Sequence, residues 1–356
     1  MSAAGPLPRR SRPLGGGGAQ RHGGTMKPAN RKWLWIGGVL LAVVLLVLPF
    51  LVKNYRVFQF NLVLVYAIAV LGLNILTGYN GQISLGHGAF YAIGAYVAAM
   101  LMDHAGLPYW ATLPLAAALC FALGFLMGFP ALRLGGHYLA LATFALALAV
   151  PQLLKYKKIE GWTGGVQGIV LTKPEPPFSF SLFGQPLSAD RWLYFFTLVV
   201  AAIMFLLAWN LLRGRVGRAL VAVRDHPIAA TAMGINLPMF KSLAFGVSAG
   251  FTGVAGALGA IVVAFVSPDS FTVFLSISFL VGVVIGGLAS IPGAVFGAIF
   301  IQFVPNLADQ ISKSAPWAIY GVFLIVFMVL MPTGVMGMLR RTWLRWRPGA
   351  AQPSVR

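Results

Sequence analysis

Apolar segments close to the length of a membrane-spanning helix recur along the whole of this 356-residue chain. A helix that crosses the hydrocarbon core of a bilayer needs about 20 consecutive apolar residues. Ten segments approach that length, at approximately 33–52, 57–77, 88–102, 110–130, 137–154, 191–212, 241–266, 271–289, 292–308 and 316–338. Several are short or interrupted by glycine. We therefore predict an all-α polytopic membrane protein with about 8–10 transmembrane helices and Gly-rich broken segments.

The composition agrees with a chain that lies mostly in lipid. Hydrophobic residues make up 59% of the sequence and charged residues 9%, whereas soluble proteins carry about 25% charged residues. We predict one membrane domain over residues 33–340, preceded by a disordered basic tail (1–32) and followed by a basic cytoplasmic tail (341–356). Met26 is an alternative start within the first tail.

Lysine and arginine outnumber the acidic residues, 26 to 7, but their placement does not indicate nucleic-acid binding. They concentrate in both tails and over residues 213–224, beside apolar segments, which is the positive-inside pattern of membrane proteins. With both termini in the cytoplasm, most basic residues fall on the cytoplasmic side and would contact anionic lipid headgroups. The cluster Lys155, Lys157 and Lys158 is an exception, because this orientation places it outside.

The acidic residues and the single cysteine argue against several classes of membrane protein. All seven carboxylates fall in loops or at the ends of apolar segments, at Asp103, Glu160, Glu175, Asp190, Asp225, Asp269 and Asp309. Proton-coupled carriers usually bury ionisable groups at membrane depth, and ATP-binding loops carry a GxxxxGK[ST] run that this sequence lacks. Active transport would therefore draw its energy from another polypeptide. Cys120 alone forms no intrachain disulfide, and we expect no cofactor in this chain.

The stretch Thr77–Gly88 interrupts the apolar pattern with four glycines and five polar side chains. Irregular backbone within a membrane is stable only where protein or a water-filled cavity satisfies its polar groups, and half-helix N-termini there suit carboxylates. One interpretation is a broken helix that contacts a small zwitterionic substrate through Asn80, Gln82, Ser84 and His87. The other is a cytoplasmic turn in which the glycines only allow close packing.

A weaker version of the same pattern occurs near the end of the chain. Gly287–Ser290 is followed by Gly293, as Gly81–Ser84 is followed by Gly88. Paired broken segments are common in transporters built from inverted repeats. Ser290 is therefore a further candidate for contact with substrate.

Residues 213–240 form the longest internal connection that the predicted topology leaves on the cytoplasmic side. Alanine, leucine and valine alternate there with basic residues, and the helical pattern stops at Gly234. An amphipathic helix of this kind either lies in a groove of a soluble partner or rests on the lipid surface. The residues of the loop alone leave both possibilities open.

Six stretches, in order along the chain, resemble the branched-chain amino acid ABC transporter permeases of the LivM type. The resemblance covers nearly all of residues 57–340. The stretches are LGLNILTGYNGQISLGHGAFYAIGAY (71–96), YLALAT (138–143), TGGVQGI (163–169), GRALVAVRD (217–225), FVSPDSF (265–271) and GGLASIPGAVFGA (286–298). The resemblance implies a non-enzymatic translocation subunit in the bacterial inner membrane. It also implies a second homologous permease, two ATPase subunits that bind ATP, and a periplasmic substrate-binding protein as partners.

The resemblance further implies that the loop at 213–235 contacts the ATPase. Ala229 and Ala230, followed by Gly234, are similar to the core of the importer coupling loop, with Ile228 at a position where glutamate is common. The basic and acidic part of the family loop corresponds here to Arg218, Arg224 and Asp225.

The sequence departs from the family pattern at positions that bear on the substrate. Leu148 stands where relatives often carry an intramembrane glutamate, Gly135 and Gly136 replace an Arg-Gly pair, and Ala289 replaces glycine. Branched-chain amino acids are the expected substrates. Urea, short amides and other small organic solutes are alternatives within the family, and a self-sufficient channel or sodium-coupled carrier is the alternative outside it.

Overall fold

The computed structural model describes residues 43–133, 136–177, 181–182, 185–311, 313 and 315–345. The chain divides into two units, residues 1–48 and 49–356. In the first unit only residues 43–48 are described, and they are helical. The predicted N-terminal tail at 1–32 and residues 346–356 of the predicted C-terminal tail lie outside the described residues.

The second unit consists almost entirely of helices. The long helices of its first half are α1 (Asn54–Asn74), α2 (His87–Asp103), α3 (Tyr109–Arg133), α4 (Gly136–Leu154) and α6 (Ala189–Arg213), with a short helix α5 (Glu160–Thr163). The second half contains α7 (Arg215–Asp225), α8 (Pro227–Ala232), α9 (Leu237–Val263), α10 (Val273–Gly286), α11 (Gly293–Ile311), α12 (Pro316–Leu330) and α13 (Gly334–Arg345). The predicted all-α fold is confirmed.

Two small antiparallel strand pairs accompany the helices in the described part of the chain. Strand β1 (Ile169–Val170) pairs with β4 (Phe265–Val266), and β2 (Ser181–Leu182) pairs with β3 (Gln185–Pro186). The β1–β4 pair ties the connection before α6 to the connection after α9.

Seven helices of the described chain are long and apolar enough to cross a membrane, or eight if a bent pair at Tyr138–Leu154 and Lys157–Thr163 counts as one span. Helix α2, with 17 residues, is shorter than a full span. The non-helical residues 81–86 precede it, as expected for a broken segment. Helix α13 passes through residues 340 and 341 without interruption, so the predicted tail at 341–356 begins within a helix.

Helix α9 lies at the centre of the bundle and is its most buried span. It packs against α1, α2 and α3 through small residues. A Cβ added to Gly72 of α1 would lie 2.9 Å from Phe251 Cβ, and one added to Gly253 of α9 would lie 2.6 Å from Cys120 Cβ of α3. Close backbone approach of this kind is how helices associate in lipid, where apolar burial alone provides little driving force.

The bundle has two chemically different ends, joined by α6. We call the end that carries residues 214–236 the loop end and the end that carries residues 155–188 the far end. At the far end Lys155 Nζ lies 2.5 Å from Asp269 Oδ1, and Lys173 Nζ lies 2.8 Å from Asp190 Oδ1. The exceptional lysine cluster is therefore partly neutralised by acidic residues at the same end.

Candidate functional site

The stretch Thr77–Gly88 passes from the loop end into the bundle. A π-helix over Ile75–Tyr79 ends α1, and α2 begins at His87. Gln82 contacts the carbonyl group of Lys241 near the start of α9, whereas His87 contacts Ser248. These contacts on α9 are seven positions apart, which corresponds to a rise of about 10 Å. The stretch therefore combines a turn at the loop end with a broken segment deeper in the bundle, and contact with a substrate stays a prediction.

Side chains from other helices satisfy the backbone of the broken segment. The amide of Leu85 donates to Thr143 Oγ1 at 3.0 Å, and the amide of Gly88 donates to Ser276 Oγ at 2.8 Å. Thr143 belongs to α4 and Ser276 to α10. An unpaired backbone amide at this depth would cost several kcal/mol, so these two hydroxyl groups stabilise the interruption.

His87 is fully buried in a hydrogen-bonded chain that uses both of its ring nitrogens. Ser84 Oγ accepts from the amide of Gly86 at 3.2 Å and lies 3.1 Å from His87 Nδ1. Ser248 Oγ lies 2.6 Å from His87 Nε2 and donates to the carbonyl oxygen of Gly72. Since that bond uses the Ser248 proton, Nε2 donates to Ser248 Oγ, and in the neutral imidazole Nδ1 then accepts from the Ser84 hydroxyl group.

Asn80 and Gln82 differ from Ser84 and His87 in their remaining capacity to form hydrogen bonds. Both are buried, with exposed fractions of 3% and 7%. Gln82 Nε2 donates to Lys241 O at 3.3 Å, while Gln82 Oε1 and both amide atoms of Asn80 have no partner among the described residues. Among the four polar residues predicted in this stretch to contact substrate, these two keep buried polar atoms that an additional group can satisfy.

We call the stretch Thr77–Gly88 the first interruption and residues 287–292 the second interruption. The second interruption lies against the first. Asn74 Nδ2 donates to Ser290 O at 2.8 Å, and Asn74 Oδ1 accepts from the amide of Ala289 at 3.0 Å. Ala289 has φ +56°, a left-handed conformation that is uncommon for alanine. Ser290 Oγ accepts from the amide of Gly293 at 3.2 Å, so the hydroxyl group caps the start of α11. The predicted pair of broken segments is therefore held together by one asparagine.

The loop at 213–236 contacts the first interruption through Arg224, the residue before the end of α7. Its Nη1 donates to Gly78 O at 2.6 Å, and its aliphatic part covers Gly81, where a Cβ would lie 2.7 Å from Arg224 Cγ. Its Nε donates to Asp225 Oδ1 at 2.8 Å. That hydrogen bond lowers the pKa of Asp225 below its ordinary value.

The outer surface of the loop is both apolar and basic. Ile228 and Met233, at the two ends of α8, are 88% and 84% exposed. Arg218 and Ala229 are also exposed, while Ala230 is buried against the bundle. Gly234 has φ +84°, which allows the chain to turn from α8 toward α9. Some of the predicted coupling residues therefore lie on the outer surface, and the others contact the bundle.

The sequence patterns did not indicate Asn74 or Ser248 as residues of this region. Both lie inside apolar segments and are fully buried. A polar side chain in the middle of an otherwise apolar span is a signal of an internal contact, and it would have selected Asn74. Leu148, which the sequence singled out as a departure from the family pattern, is half exposed on the outward face of α4.

We predict that Ser248→Ala destabilises the chain, because it leaves His87 Nε2–H and Gly72 O without their shared partner. The expected loss is about 1–3 kcal/mol, as for other buried polar groups deprived of a partner. The measurement is thermal unfolding of the purified chain in detergent. Ser242→Ala is the matched control, since Ser242 lies buried on the same helix with a hydroxyl group that has no partner in the described structure. Equal unfolding temperatures for the two variants would contradict this role of Ser248.

The comparisons with known proteins agree on one class. The family described as "Branched-chain amino acid transport system / permease component" matches residues 56–331. The high-affinity branched-chain amino acid transport system permease protein LivM of Escherichia coli (strain K12) is 34% identical over 338 residues, covering 88% of this chain and 77% of that protein. LivM of Salmonella typhimurium is 34% identical, covering 84% of this chain and 74% of that protein.

A more distant relative is named for the import of a different solute. The autoinducer 2 import system permease protein LsrC of Escherichia coli O9:H4 is 28% identical over 318 residues, covering 83% of this chain and 85% of that protein. No solved structure matches the chain. Because the family match covers most of the chain and LivM is 34% identical over most of its length, this protein belongs to the family of permease components of branched-chain amino acid transport systems.

Proposed function

We propose that this chain is a translocation subunit of an ATP-driven importer for branched-chain amino acids. It works with a second homologous permease, two ATPase subunits and a periplasmic substrate-binding protein. It lies in the bacterial inner membrane with both termini, and therefore the loop end, in the cytoplasm. Family membership supports the permease role, and the concentration of basic residues in the two tails and over residues 213–224 of the sequence supports the orientation. The chain itself carries out no covalent chemistry and needs no cofactor.

The observation that carries the coupling part of this proposal is the hydrogen bond from Arg224 to Gly78. The loop exposes Ile228 and Met233 outward, where a soluble partner binds them, and holds the first interruption inward through Arg224. A rigid displacement of α7 and α8 therefore acts directly on the π-helix that ends α1. Single π-turns within long helices are frequent at functional sites, because they shift register at low cost.

The displacement continues from the first interruption to the second. Gly78 packs against Ala289 so closely that a Cβ at Gly78 would lie 2.5 Å from the Ala289 nitrogen. Asn74 then joins the same backbone by two hydrogen bonds. Helices α10 and α11 meet at this second interruption. Movement of the loop is thus transmitted to four helix ends that close or open the loop end of the bundle.

The substrate contacts of this proposal are Asn80 and Gln82, with Ser84, His87 and Ser290 as supporting residues. The unpaired amide atoms of Asn80 include both a donor and an acceptor, which suits the carboxylate and ammonium groups of an amino acid. The fully paired His87 holds the broken segment on which these amides lie. The apolar part of a branched-chain solute requires no further polar contact.

A second candidate within the same family is a different small organic solute. The relationship to LsrC, named for import of autoinducer 2, favours it, since one family includes named systems for unlike solutes.

Uptake of radiolabelled leucine tests the proposed function. Cells that lack this gene and have no redundant importer are expected to lose saturable leucine uptake, and a plasmid copy is expected to restore it. Depletion of the partner ATPase in rescued cells should abolish uptake again. Uptake that persists without the ATPase would indicate a self-sufficient channel or a sodium-coupled carrier. Unchanged leucine uptake in the deletion strain would indicate that the substrate is another small solute.

Arg224→Ala is expected to reduce leucine uptake by about tenfold or more, since a hydrogen bond from a charged donor contributes about 1.5–3 kcal/mol. The ATPase is expected to remain bound and to hydrolyse ATP without transport, because the exposed surface of α8 is unchanged. Arg215→Ala is the control, an exposed arginine on the same helix with no hydrogen bond or ion pair to the described residues. Equal uptake by the two variants would show that Arg224 does not couple the loop to the bundle.

Asn80→Ala is expected to raise the KM for leucine without lowering the folded amount of the chain. Its amide forms no internal hydrogen bond to the described residues, so its removal leaves no other group unpaired. Ser84→Ala is the contrasting variant, because it removes the partner of Gly86 and His87 and should lower the folded amount. The measurements are initial uptake rates at limiting leucine and quantitative size-exclusion chromatography. A normal KM in Asn80→Ala would remove this residue from the substrate route.

A further inference from the structure

A cavity of about 570 Å³ lies at the loop end, between the second interruption and helix α13. Leu288, Met336 and Leu339 form apolar walls, and Ser290, Thr333 and Arg340 supply polar groups. Gly287 and Ala289, both with positive φ, place the backbone of residues 287–290 along one side. The cavity therefore combines an apolar interior with one guanidinium group at its edge.

The charge of Arg340 is not balanced within the described chain. It forms no ion pair with any described residue. Asp225 is the one acidic residue at the loop end, and it is hydrogen-bonded to Arg224. The sequence contains no aspartate or glutamate after Asp309, so the C-terminal segment beyond α13 has no acidic side chain to offer. The exposed guanidinium group of Arg340 is therefore accessible to an anion from outside the chain.

The position of the cavity restricts the chemistry of that anion. Residues 318–342, most of α12 and most of α13, are together long and apolar enough to cross a membrane. Arg340 and Arg341 lie at the end of this segment, where a membrane span would meet water. Basic pockets between transmembrane helices at this boundary suit lipid headgroups. Apolar walls that continue from the cation into the bundle suit an acyl chain attached to that headgroup.

We propose that this cavity binds an anionic phospholipid, with its phosphate on Arg340 and an acyl chain against Leu288, Met336 and Leu339. The site does not include Asn80 or Gln82, the proposed substrate contacts, and it shares with the proposed substrate route only the supporting residue Ser290. A lipid bound there lies against residues 287–290, the backbone that Asn74 connects to the first interruption. Its occupancy stabilises one position of the second interruption and so makes transport depend on the lipid composition of the membrane.

Protection of an engineered cysteine from a water-soluble maleimide tests the site in the full chain. Cys120, the native cysteine, is buried. Leu339→Cys places a thiol in the cavity wall, and Met338→Cys places one on the same helix outside the cavity. In vesicles containing phosphatidylglycerol, the labelling rate of Leu339→Cys is expected to be about fivefold lower than in phosphatidylcholine, which corresponds to about 1 kcal/mol for one arginine near anionic lipid. Met338→Cys is expected to be labelled equally in both.

Two further variants separate a specific site from general surface attraction. Adding Arg340→Ala should remove the protection by phosphatidylglycerol, whereas adding Arg341→Ala should retain it. Equal labelling in the two lipids, or equal effects of the two arginine variants, would overturn the proposal. Protection by inorganic phosphate or by leucine in phosphatidylcholine vesicles would overturn it as well, by assigning the cavity to a soluble anion or to the substrate. Retention of phosphatidylglycerol by the unmodified chain in native mass spectrometry gives an independent measure.

Discussion

The architecture of this permease depends on satisfying backbone polar groups where its helices are interrupted inside the membrane. Lipid offers no hydrogen-bond partners, so each interruption persists only because other helices supply them. The hydroxyl groups of Thr143 on α4 and Ser276 on α10 accept hydrogen bonds from backbone amides of the first interruption. The side chain of Asn74 on α1 forms two hydrogen bonds with the backbone of the second interruption. The bundle therefore fixes its broken segments by side chains that are far away in the sequence.

The same hydrogen bonds make the two interruptions mechanically dependent on each other. Asn74 lies immediately before the π-helix of α1 and holds Ala289 in a left-handed conformation. A non-glycine residue in that conformation stores a small amount of strain, which the surrounding contacts must maintain. We therefore expect that loosening the first interruption also loosens the second. This arrangement gives the loop, through Arg224 and Gly78, a short physical route to the helix ends that line the loop end of the bundle.

The two ends of the bundle differ in charge as well as in structure. At the far end two lysines of the described chain pair with carboxylates, whereas the loop end has one carboxylate among many cations. Unpaired cations at one boundary of a membrane protein attract anionic lipid and fix its orientation. The basic surface therefore contributes to three proposals, namely the orientation of the chain, the contact with an ATPase and the lipid site. The residues around each basic side chain differ between these sites. Apolar residues surround the arginine of the cavity, whereas the arginines of the loop lie on an exposed helix.

The sequence by itself determined that the chain is a polytopic helical membrane protein with broken segments, and it indicated the family. Those properties follow from local features, namely the length of apolar runs, the placement of glycine and the order of short motifs. The boundaries of α2 and α11 agree with their apolar segments to within a few residues.

Tertiary structure alone decided which polar residues are already satisfied. Sequence placed Asn80, Gln82, Ser84 and His87 in one candidate group, but the bundle pairs the last two internally and leaves amide atoms of the first two open. It also revealed Asn74, whose partners lie more than 200 residues away. Hydrogen bonds between distant segments depend on how the helices pack, and no local pattern of residues encodes that packing.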